Sequence, residues 1–254
     1  MRIARFYHQK KSEIKLGLID GNHIQEIVGD IFSDYRITER IFSMDEVNFC
    51  SPVIPTKVIC LGLNYAEHAQ EMNKPFPKEP LIFMKPPSSV LGHKQKIVYP
   101  TASNNVHYEA ELAVVIKDKI KDVSEERALE YVLGYTIGND VTARDLQQKD
   151  GQWTRSKSFD TFCPLGPWIQ TDITNPEQLD IKLWVNGEIK QKSNTSEFIF
   201  PIVQIIAFLS RIMTLNPGDV IMTGTPSGVG PLSKGDEVSI EIEPIGKLTN
   251  YVAE

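Results

Sequence analysis

Three acidic residues of this chain have the type and spacing of a divalent-metal site. Glu109 and Glu111 lie two positions apart in residues 106–116, an apolar and β-branched run that predicts a strand. Because side chains alternate along a strand, both carboxylates should face the same side. Two such charges raise each other's pKa unless a cation compensates them, and Mg²⁺ and Mn²⁺ bind carboxylate oxygens. Taken alone, the pair is equally compatible with a solvated strand face.

Asp140 adds a third carboxylate. It ends a second predicted strand, residues 134–141, and a polar turn or short helix with Arg144 and Gln147 follows it. An acidic residue at the end of a strand, among polar neighbours, indicates a site more than a core. Three carboxylates would leave coordination positions open for water or substrate, as magnesium sites usually do.

His68 and Glu71 are candidates for acid–base chemistry. They lie three positions apart, which places them on one face of a helical turn. A carboxylate can orient an imidazole and stabilise its charged form, so the pair is suited to activate water. A surface ion pair is the alternative that the spacing leaves open.

Basic and polar residues complete a candidate site. Lys157 could supply a positive charge to a carboxylate or a developing enolate, and Lys85 is a weaker candidate for the same task. Arg144 and Gln147 would share a helix face, where the guanidinium could bind a carboxylate through two hydrogen bonds. Each of these residues could equally lie on the surface. His107, beside the acidic pair, is expected to be a core histidine.

Thr225 lies in a glycine-rich loop, residues 224–230, that follows a predicted strand. Its glycines would let backbone amides approach an anion. No lysine follows and Pro231 argues against a helix start, so the loop is neither a Walker nor a Rossmann motif. A tight connection between strands is the alternative.

Six motifs together resemble the fumarylacetoacetate hydrolase family. They are Glu109-x-Glu111 and the runs at 62–71 (GLNYAEHAQE), 83–86 (FMKP), 138–145 (GNDVTARD), 157–167 (KSFDTFCPLGP) and 224–230 (GTPSGVG). They occur in the family's order across roughly residues 57 to 252. The resemblance implies a β-roll for the larger region, a smaller N-terminal domain and a homodimer.

The resemblance also implies roles for the candidate residues. Glu109, Glu111 and Asp140 would bind Mg²⁺ or Mn²⁺. His68, Glu71 and Lys157 would be catalytic, and the segment that contains His68 and Glu71 would close over the site as a lid. Arg144, Gln147 and Thr225 would contact the substrate. The reaction expected first is metal-dependent hydrolysis of a C–C bond in an acylpyruvate-type 2-oxo acid.

Other reactions remain open because they would use the same residues. The relatives implied by the resemblance include isomerases, tautomerases and decarboxylases of 2-oxo or 2-hydroxydienoic dicarboxylates, such as 2-hydroxyhepta-2,4-diene-1,7-dioate and oxaloacetate. All pass through a metal-bound enolate. A non-catalytic module that binds the metal structurally is a minor alternative.

Composition excludes several classes of protein. The chain has 254 residues and a net charge of −6, which argues against nucleic acid as the main partner. No apolar run approaches the ~20 residues that a membrane helix needs, and the N-terminus lacks the apolar core of a signal peptide. Three cysteines without a Cys-x-x-Cys pair indicate neither a disulfide framework nor a zinc ribbon, so a cytoplasmic location is expected.

The chain is predicted to have a β-rich α+β fold in two parts. Residues 1–52 would form a small N-terminal α+β domain with a short helix within residues 37–47, and residues 53–254 the catalytic domain. Strands dominate the second part, with a hairpin turn at Asn186-Gly187 and helices over 124–132 and from Pro201 onward. Since strands and helices do not alternate regularly, a doubly wound sheet is not expected.

Overall fold

The computed structural model of the chain describes residues 1–9 and 13–253, and β-strands dominate it. The strands are β1 (Arg2–His8), β2 (Ile14–Asp20), β3 (His23–Gly29), β4 (Tyr35–Ser43), β5 (Val47–Phe49), β6 (Val58–Gly62), β7 (Leu81–Lys85), β8 (Val90–Leu91), β9 (Lys96–Ile97), β10 (Val106–Tyr108), β11 (Ala110–Ile116), β12 (Val132–Asn139), β13 (Thr142–Ala143), β14 (Cys163–Gln170), β15 (Asp180–Val185), β16 (Glu188–Asn194), β17 (Val220–Met222), β18 (Gly230–Pro231), β19 (Glu237–Ile242) and β20 (Gly246–Val252). The helices are α1 (Ala66–Glu71), α2 (Arg144–Asp150), α3 (Thr154–Lys157) and α4 (Ile202–Ile212), with 3₁₀ turns at Met44–Glu46, Pro87–Ser89, Glu125–Tyr131 and Thr195–Glu197. The predicted β-rich α+β class is confirmed.

One large sheet runs through most of the described chain. Its strand order is β4-β3-β2-β1-β14-β12-β11-β17-β6-β7, with β5 paired to β1 and β8 to β14. The N-terminal strands extend this sheet, since β1 pairs antiparallel with β14 and Ile3 lies opposite Ile169. The domain boundary predicted after residue 52 therefore separates strands of one hydrogen-bonded sheet, and it stays a prediction.

A second sheet covers the large one and closes the core. Its order is β16-β15-β19-β20-β9, and residues such as Leu183 and Ile240 pack in one buried cluster with Leu112 and Ile137 of the large sheet. Helix α4 buries the face that contains Ile205 and Leu209 in the same cluster. Burying each such side chain contributes about 1.5–3 kcal/mol to folding. The core thus lies between the sheets, and the acidic strands are central.

Two predicted helices differ from the structure. Residues 37–47 form most of β4 and a 3₁₀ turn instead of a helix. β-Branched Ile37 pairs with Ile27 of β3. The isoleucines Ile37 and Ile41 do not face a core, since Ile41 is 60% exposed. The helix predicted over 124–132 is a 3₁₀ turn that runs directly into β12. The helix from Pro201 is confirmed, and so is the hairpin turn, where Asn186 and Gly187 both have positive φ.

The described residues include no helix that is both long and apolar enough to cross a membrane.

Candidate active site

The strand that contains the two glutamates is broken between them. Residues 106–116 do not form the single predicted strand: β10 pairs with β13 and β18, whereas β11 pairs with β12 and β17. Glu109 lies at the break, where its N–H donates to Asn139 Oδ1 (3.0 Å) and its carbonyl accepts from Asp140 N–H (2.9 Å). These bonds bring the Glu109 and Asp140 backbones side by side.

The three predicted metal ligands form one buried cluster. Carboxylate oxygens of Glu109, Glu111 and Asp140 all lie within 4.8 Å of one another. Glu111 Oε2 accepts from Gly224 N–H at 2.7 Å, but Oε1 has no hydrogen-bond partner among the described residues. A buried carboxylate oxygen without a donor is costly, so this atom is suited to a cation. Three carboxylates without histidine or cysteine fit a hard divalent ion such as Mg²⁺ or Mn²⁺.

Three cationic side chains surround the other two carboxylates. Lys157 Nζ donates to Asp140 Oδ2 (2.6 Å) and Glu109 Oε2 (3.0 Å), and Arg144 pairs with Glu109 Oε1. Lys85, predicted as the weaker lysine candidate, is 1% exposed and pairs with Asp140 Oδ1. Three carboxylates thus face three cations. A divalent cation would add two positive charges, which a dianionic ligand could neutralise.

The electrostatics distinguish Glu111 from its neighbours. Burial alone would raise the pKa of Glu109, but Lys157 and Arg144 outweigh it and hold that pKa well below its usual range. Burial, Asp140 and Glu109 together raise the pKa of Glu111 well above its usual value. Burial opposes the Lys157 charge, yet Asp140 and Glu109 raise the pKa of Lys157 and keep it an ammonium. Glu111 is therefore the carboxylate that lacks a compensating cation.

The predicted His68–Glu71 pair forms on α1, which follows β6. His68 Nδ1 lies 3.0 Å from Glu71 Oε2, and His68 is buried. The same carboxylate accepts from Gly228 N–H at 3.1 Å, so it links the histidine to the glycine-rich loop. Asn64, ahead of α1, is fully buried; its side chain donates to Thr223 O (2.8 Å) and accepts from Phe200 N–H (2.8 Å). These contacts fix α1 over the acidic cluster.

The predicted site residues surround one small cavity. Its volume is about 50 Å³, and the predicted residues that line it are His68, Glu109, Arg144, Gln147, Lys157 and Thr225. Glu111 and Asp140 are buried beside it, and Glu71 lies behind His68. Arg144 Nη1 donates to Gln147 Oε1 at 2.7 Å on α2, which confirms that these two share a helix face. The site can therefore present a cation, a base and anion-binding donors to one small ligand.

A larger groove lies next to this cavity. It measures about 800 Å³, is mainly apolar and shares the walls Phe83 and Trp153 with the small cavity. The two rings pack edge to face with centroids 5.2 Å apart. We assign the chemistry to the smaller cavity, because Glu109 and His68 line it.

Some contributors were not singled out from sequence. Asn64 and Gln191 are buried amides that bind backbone groups of the site, and nothing in their local spacing marks them. The position of Lys85 at the end of a strand, just before Pro86, is the sequence signal that favours it as a site lysine beside Lys157. His107 differs from the expected core histidine: it is half-buried, and its Nδ1 has no hydrogen-bond partner among the described residues, although Nε2 lies 2.9 Å from Asn105 Oδ1. Burial and then Arg144 lower its pKa to about 4.

Similarity to known proteins covers the whole chain. Residues 57–253 match the family model described as fumarylacetoacetate (FAA) hydrolase C-terminal, and residues 1–52 match the one described as Rv2993c-like, N-terminal. The mitochondrial oxaloacetate tautomerase Fahd2a of Rattus norvegicus is 48% identical over 218 residues, covering 82% of this chain and 70% of the relative.

Two solved structures bear on the chemistry. The 2-hydroxyhepta-2,4-diene-1,7-dioate isomerase from Mycobacterium marinum aligns with a TM-score of 0.92 at 43% identity, covering 100% of this chain and 98% of that one. Maleylpyruvate hydrolase from Sphingobium sp. SYK-6, solved with manganese(II) and pyruvate, aligns with a TM-score of 0.84 at 31% identity, covering 100% and 99%.

Proposed function

The chain belongs to the fumarylacetoacetate hydrolase family, and from this premise we propose that it is a divalent-metal-dependent enzyme that converts 2-oxo acids through their enolates. One observation carries the proposal. The Glu109, Glu111 and Asp140 cluster has a buried oxygen that no group in residues 1–9 and 13–253 pairs with, and the cluster lies beside the same cavity that His68 lines. A metal site and a base thus meet at one small ligand site, as enolate chemistry requires.

The residues divide the work by charge. Glu109, Glu111 and Asp140 would hold Mg²⁺ or Mn²⁺, which supplies Lewis acidity to a 2-oxo acid. Lys157 keeps its proton and provides positive charge where an enolate oxygen develops. Arg144 and Gln147 line the cavity with donors suited to a carboxylate, so they orient the acid before reaction.

Hydrolysis of an acylpyruvate is the first candidate reaction. His68, oriented by Glu71, takes a proton from water, and the hydroxide oxygen adds to the distal carbonyl carbon. The C–C bond then breaks: the distal part leaves as a carboxylic acid and the electron pair remains on the enolate of pyruvate, which is protonated at C3. The 3.0 Å contact between buried His68 and the exposed Glu71 carboxylate favours this reaction, since it holds the imidazole ready as a base.

Tautomerisation of a 2-oxo dicarboxylate is the second candidate. Here His68 would move a proton between C3 and the 2-oxo oxygen, and no bond to carbon other than C–H would break. The oxaloacetate tautomerase at 48% identity supports this candidate. Isomerisation and decarboxylation of related diacids would use the same residues.

An ultraviolet progress curve separates these reactions. The protein is mixed with a small acylpyruvate or with oxaloacetate, with Mg²⁺, with Mn²⁺ or with EDTA, and pyruvate is quantified at the end. Metal-dependent loss of acylpyruvate absorbance with stoichiometric pyruvate would establish hydrolysis. Loss of enol absorbance from oxaloacetate without pyruvate would establish tautomerisation, and with pyruvate would indicate decarboxylation. No metal-dependent change with either compound would contradict the proposed function.

Two further expectations belong to this proposal. We propose that the chain is a homodimer, which light scattering on the purified protein would test. Cys50, Cys60 and Cys163 are buried and free, which is consistent with the cytoplasmic location expected from their number.

A further inference from the structure

A buried glutamine joins the second sheet to the candidate active site. Gln191 lies on β16, is 1% exposed and has no role in the chemistry derived above. Its side chain amide reaches two segments that are distant in sequence: Ala110, between the two glutamates, and the loop that starts at Thr225. A buried amide with these partners is placed to control both.

The orientation of the Gln191 amide follows from its partners. Oε1 accepts from Ala110 N–H at 3.0 Å, and Nε2 donates to Thr225 Oγ1 (2.9 Å), Pro226 O (2.9 Å) and Ser227 O (3.4 Å). Exchanging the nitrogen and oxygen would set a donor against the Ala110 N–H and an acceptor against two carbonyl oxygens. The hydrogen-bond partners therefore leave one orientation.

This orientation decides what the Thr225 hydroxyl can do. Its oxygen already accepts a hydrogen bond from Gln191, so its proton is available for donation. Across residues 1–9 and 13–253 no acceptor for that proton is recorded, although Thr225 is only 4% exposed and lines the cavity. The hydroxyl is thus set to donate to an acceptor inside the cavity, and an anionic oxygen is the strongest acceptor.

We propose that Gln191 is a positioning residue that makes Thr225 a hydrogen-bond donor to an anionic oxygen of the ligand. Through Ala110 it also fixes the backbone between Glu109 and Glu111, which couples this donor to the metal cluster. The inference rests on the proposed function for its ligand class, a 2-oxo acid or its enolate.

Oxalate binding provides a test that needs no turnover. Oxalate is a planar dianion that mimics the enolate of pyruvate, and its affinity for the Mn²⁺-loaded protein is measured by calorimetry. The variants are Gln191→Met, Thr225→Val and their double, with Lys192→Met as the control because Lys192 is exposed on the same strand. We expect about tenfold weaker binding for each single variant, the cost of one hydrogen bond to a charged group. The double variant should bind oxalate no more weakly than Thr225→Val does.

Three outcomes would overturn the proposal. Wild-type affinity in Gln191→Met would remove Gln191 from the site, and additive losses in the double variant would show that it does not act through Thr225. A merely structural role would lower the melting temperature and Mn²⁺ affinity of Gln191→Met while leaving oxalate affinity of the loaded protein unchanged. If wild-type protein binds Mn²⁺ but not oxalate, the proposed function fails first, and the inference falls with it.

A second variant guards against failure to fold. Gln191→Glu keeps an acceptor for the Ala110 N–H. Its carboxylate would accept the hydrogen bond of the Thr225 hydroxyl, which would then not be available to the ligand. Oxalate affinity should fall at least tenfold while Mn²⁺ still binds. Unchanged oxalate affinity in this variant would contradict the inference even if Gln191→Met cannot be purified.

Discussion

The three carboxylates of the cluster are chemically similar but have different surroundings. Glu109 and Asp140 each pair with two cationic side chains. Within the described part of the chain, Glu111 pairs only with the Gly224 amide and has one oxygen without a partner. An uncompensated charge in the interior costs several kcal/mol. A bound divalent cation would relieve this cost mainly at Glu111, so this residue should couple metal binding to stability.

Glu111→Gln tests that coupling. The amide keeps an acceptor for Gly224 N–H but removes the anionic oxygen, so Mn²⁺ affinity should fall about 100-fold or more. The metal-free protein should be at least as stable as wild type, because the amide replaces a carboxyl that is costly to ionise there, its pKa being raised by burial, Asp140 and Glu109. Calorimetry and melting curves with and without Mn²⁺ measure both effects. Glu126→Gln, at an exposed position, is the control, and equal Mn²⁺ affinities would rule out Glu111 as a ligand.

His68→Ala tests the base. Loss of the imidazole should lower kcat by about 10²–10⁴-fold, the usual range for a general base, while Mn²⁺ affinity stays unchanged. Gln70→Ala, an exposed change on the same helix, should leave kcat within about twofold. Steady-state kinetics provide the measurement, with whichever compound the ultraviolet progress curve shows to be converted. Retained turnover in His68→Ala would remove this residue from the mechanism.

The loop over residues 224–230 contacts the acidic cluster, the cavity and the His68–Glu71 pair. Gly224 N–H binds Glu111, the Thr225 hydroxyl lines the cavity, and Gly228 N–H binds Glu71. Gly228 has a φ of 91°, a left-handed conformation that favours glycine, and a Cβ there would collide with the Lys190 carbonyl oxygen. The loop therefore depends on glycine for a contact with Glu71, the partner of His68.

Gly228→Ala should displace this loop and weaken the support of Glu71. We expect kcat/KM to fall about tenfold or more, the loss of one charge-assisted hydrogen bond. Gly235→Ala is a matched control, because Gly235 also has a positive φ (88°) but no atom of the described residues lies within 4 Å of a Cβ placed there. Its cost should be limited to about 1 kcal/mol of stability. Equal kinetic effects of the two variants would show that strain, not the Glu71 contact, matters.

At the scale of the whole molecule, one titratable residue joins distant parts: His93 lies where the N-terminal strands meet the second sheet. Its ring packs edge to face against Phe49 of β5, with centroids 6.3 Å apart, and Nδ1 accepts from Thr249 N–H on β20 at 3.1 Å. Burial, and then the neighbouring Lys94, lower the pKa of His93 to about 4. The folded protein therefore holds this imidazole neutral at a pH where an unfolded chain would protonate it.

This pKa predicts a pH dependence of stability. Between pH 6.5 and 4 the unfolded state binds a proton at His93 that the folded state does not, so the free energy of unfolding falls as pH falls. His93 alone should account for about 2 kcal/mol between pH 7 and pH 5. His93→Asn keeps an acceptor for Thr249 N–H but cannot ionise, so urea unfolding should show a smaller pH dependence than wild type. The same dependence in both proteins would contradict the assignment.

The candidate residues with a local relation could be predicted from the amino-acid order alone. His68 and Glu71, and likewise Arg144 and Gln147, lie three apart and share a helix face. Glu109 and Glu111 lie two apart and do meet in one cluster, although the strand predicted to hold both begins only at Ala110. Helix α4 was predictable for the same reason, since its apolar residues recur at the helical period.

How these pieces meet depends on contacts between segments that are distant in sequence. Lys85 reaches Asp140 across 55 positions and Gln191 reaches Ala110 across 81, and no periodicity relates residues so far apart. The break at Glu109 and the sheet that β1 shares with β14 likewise depend on strand pairing between distant segments. Local spacing specifies which face a side chain takes within its own element. Which elements become neighbours is settled by burial of the common core, and burial is a property of the whole chain.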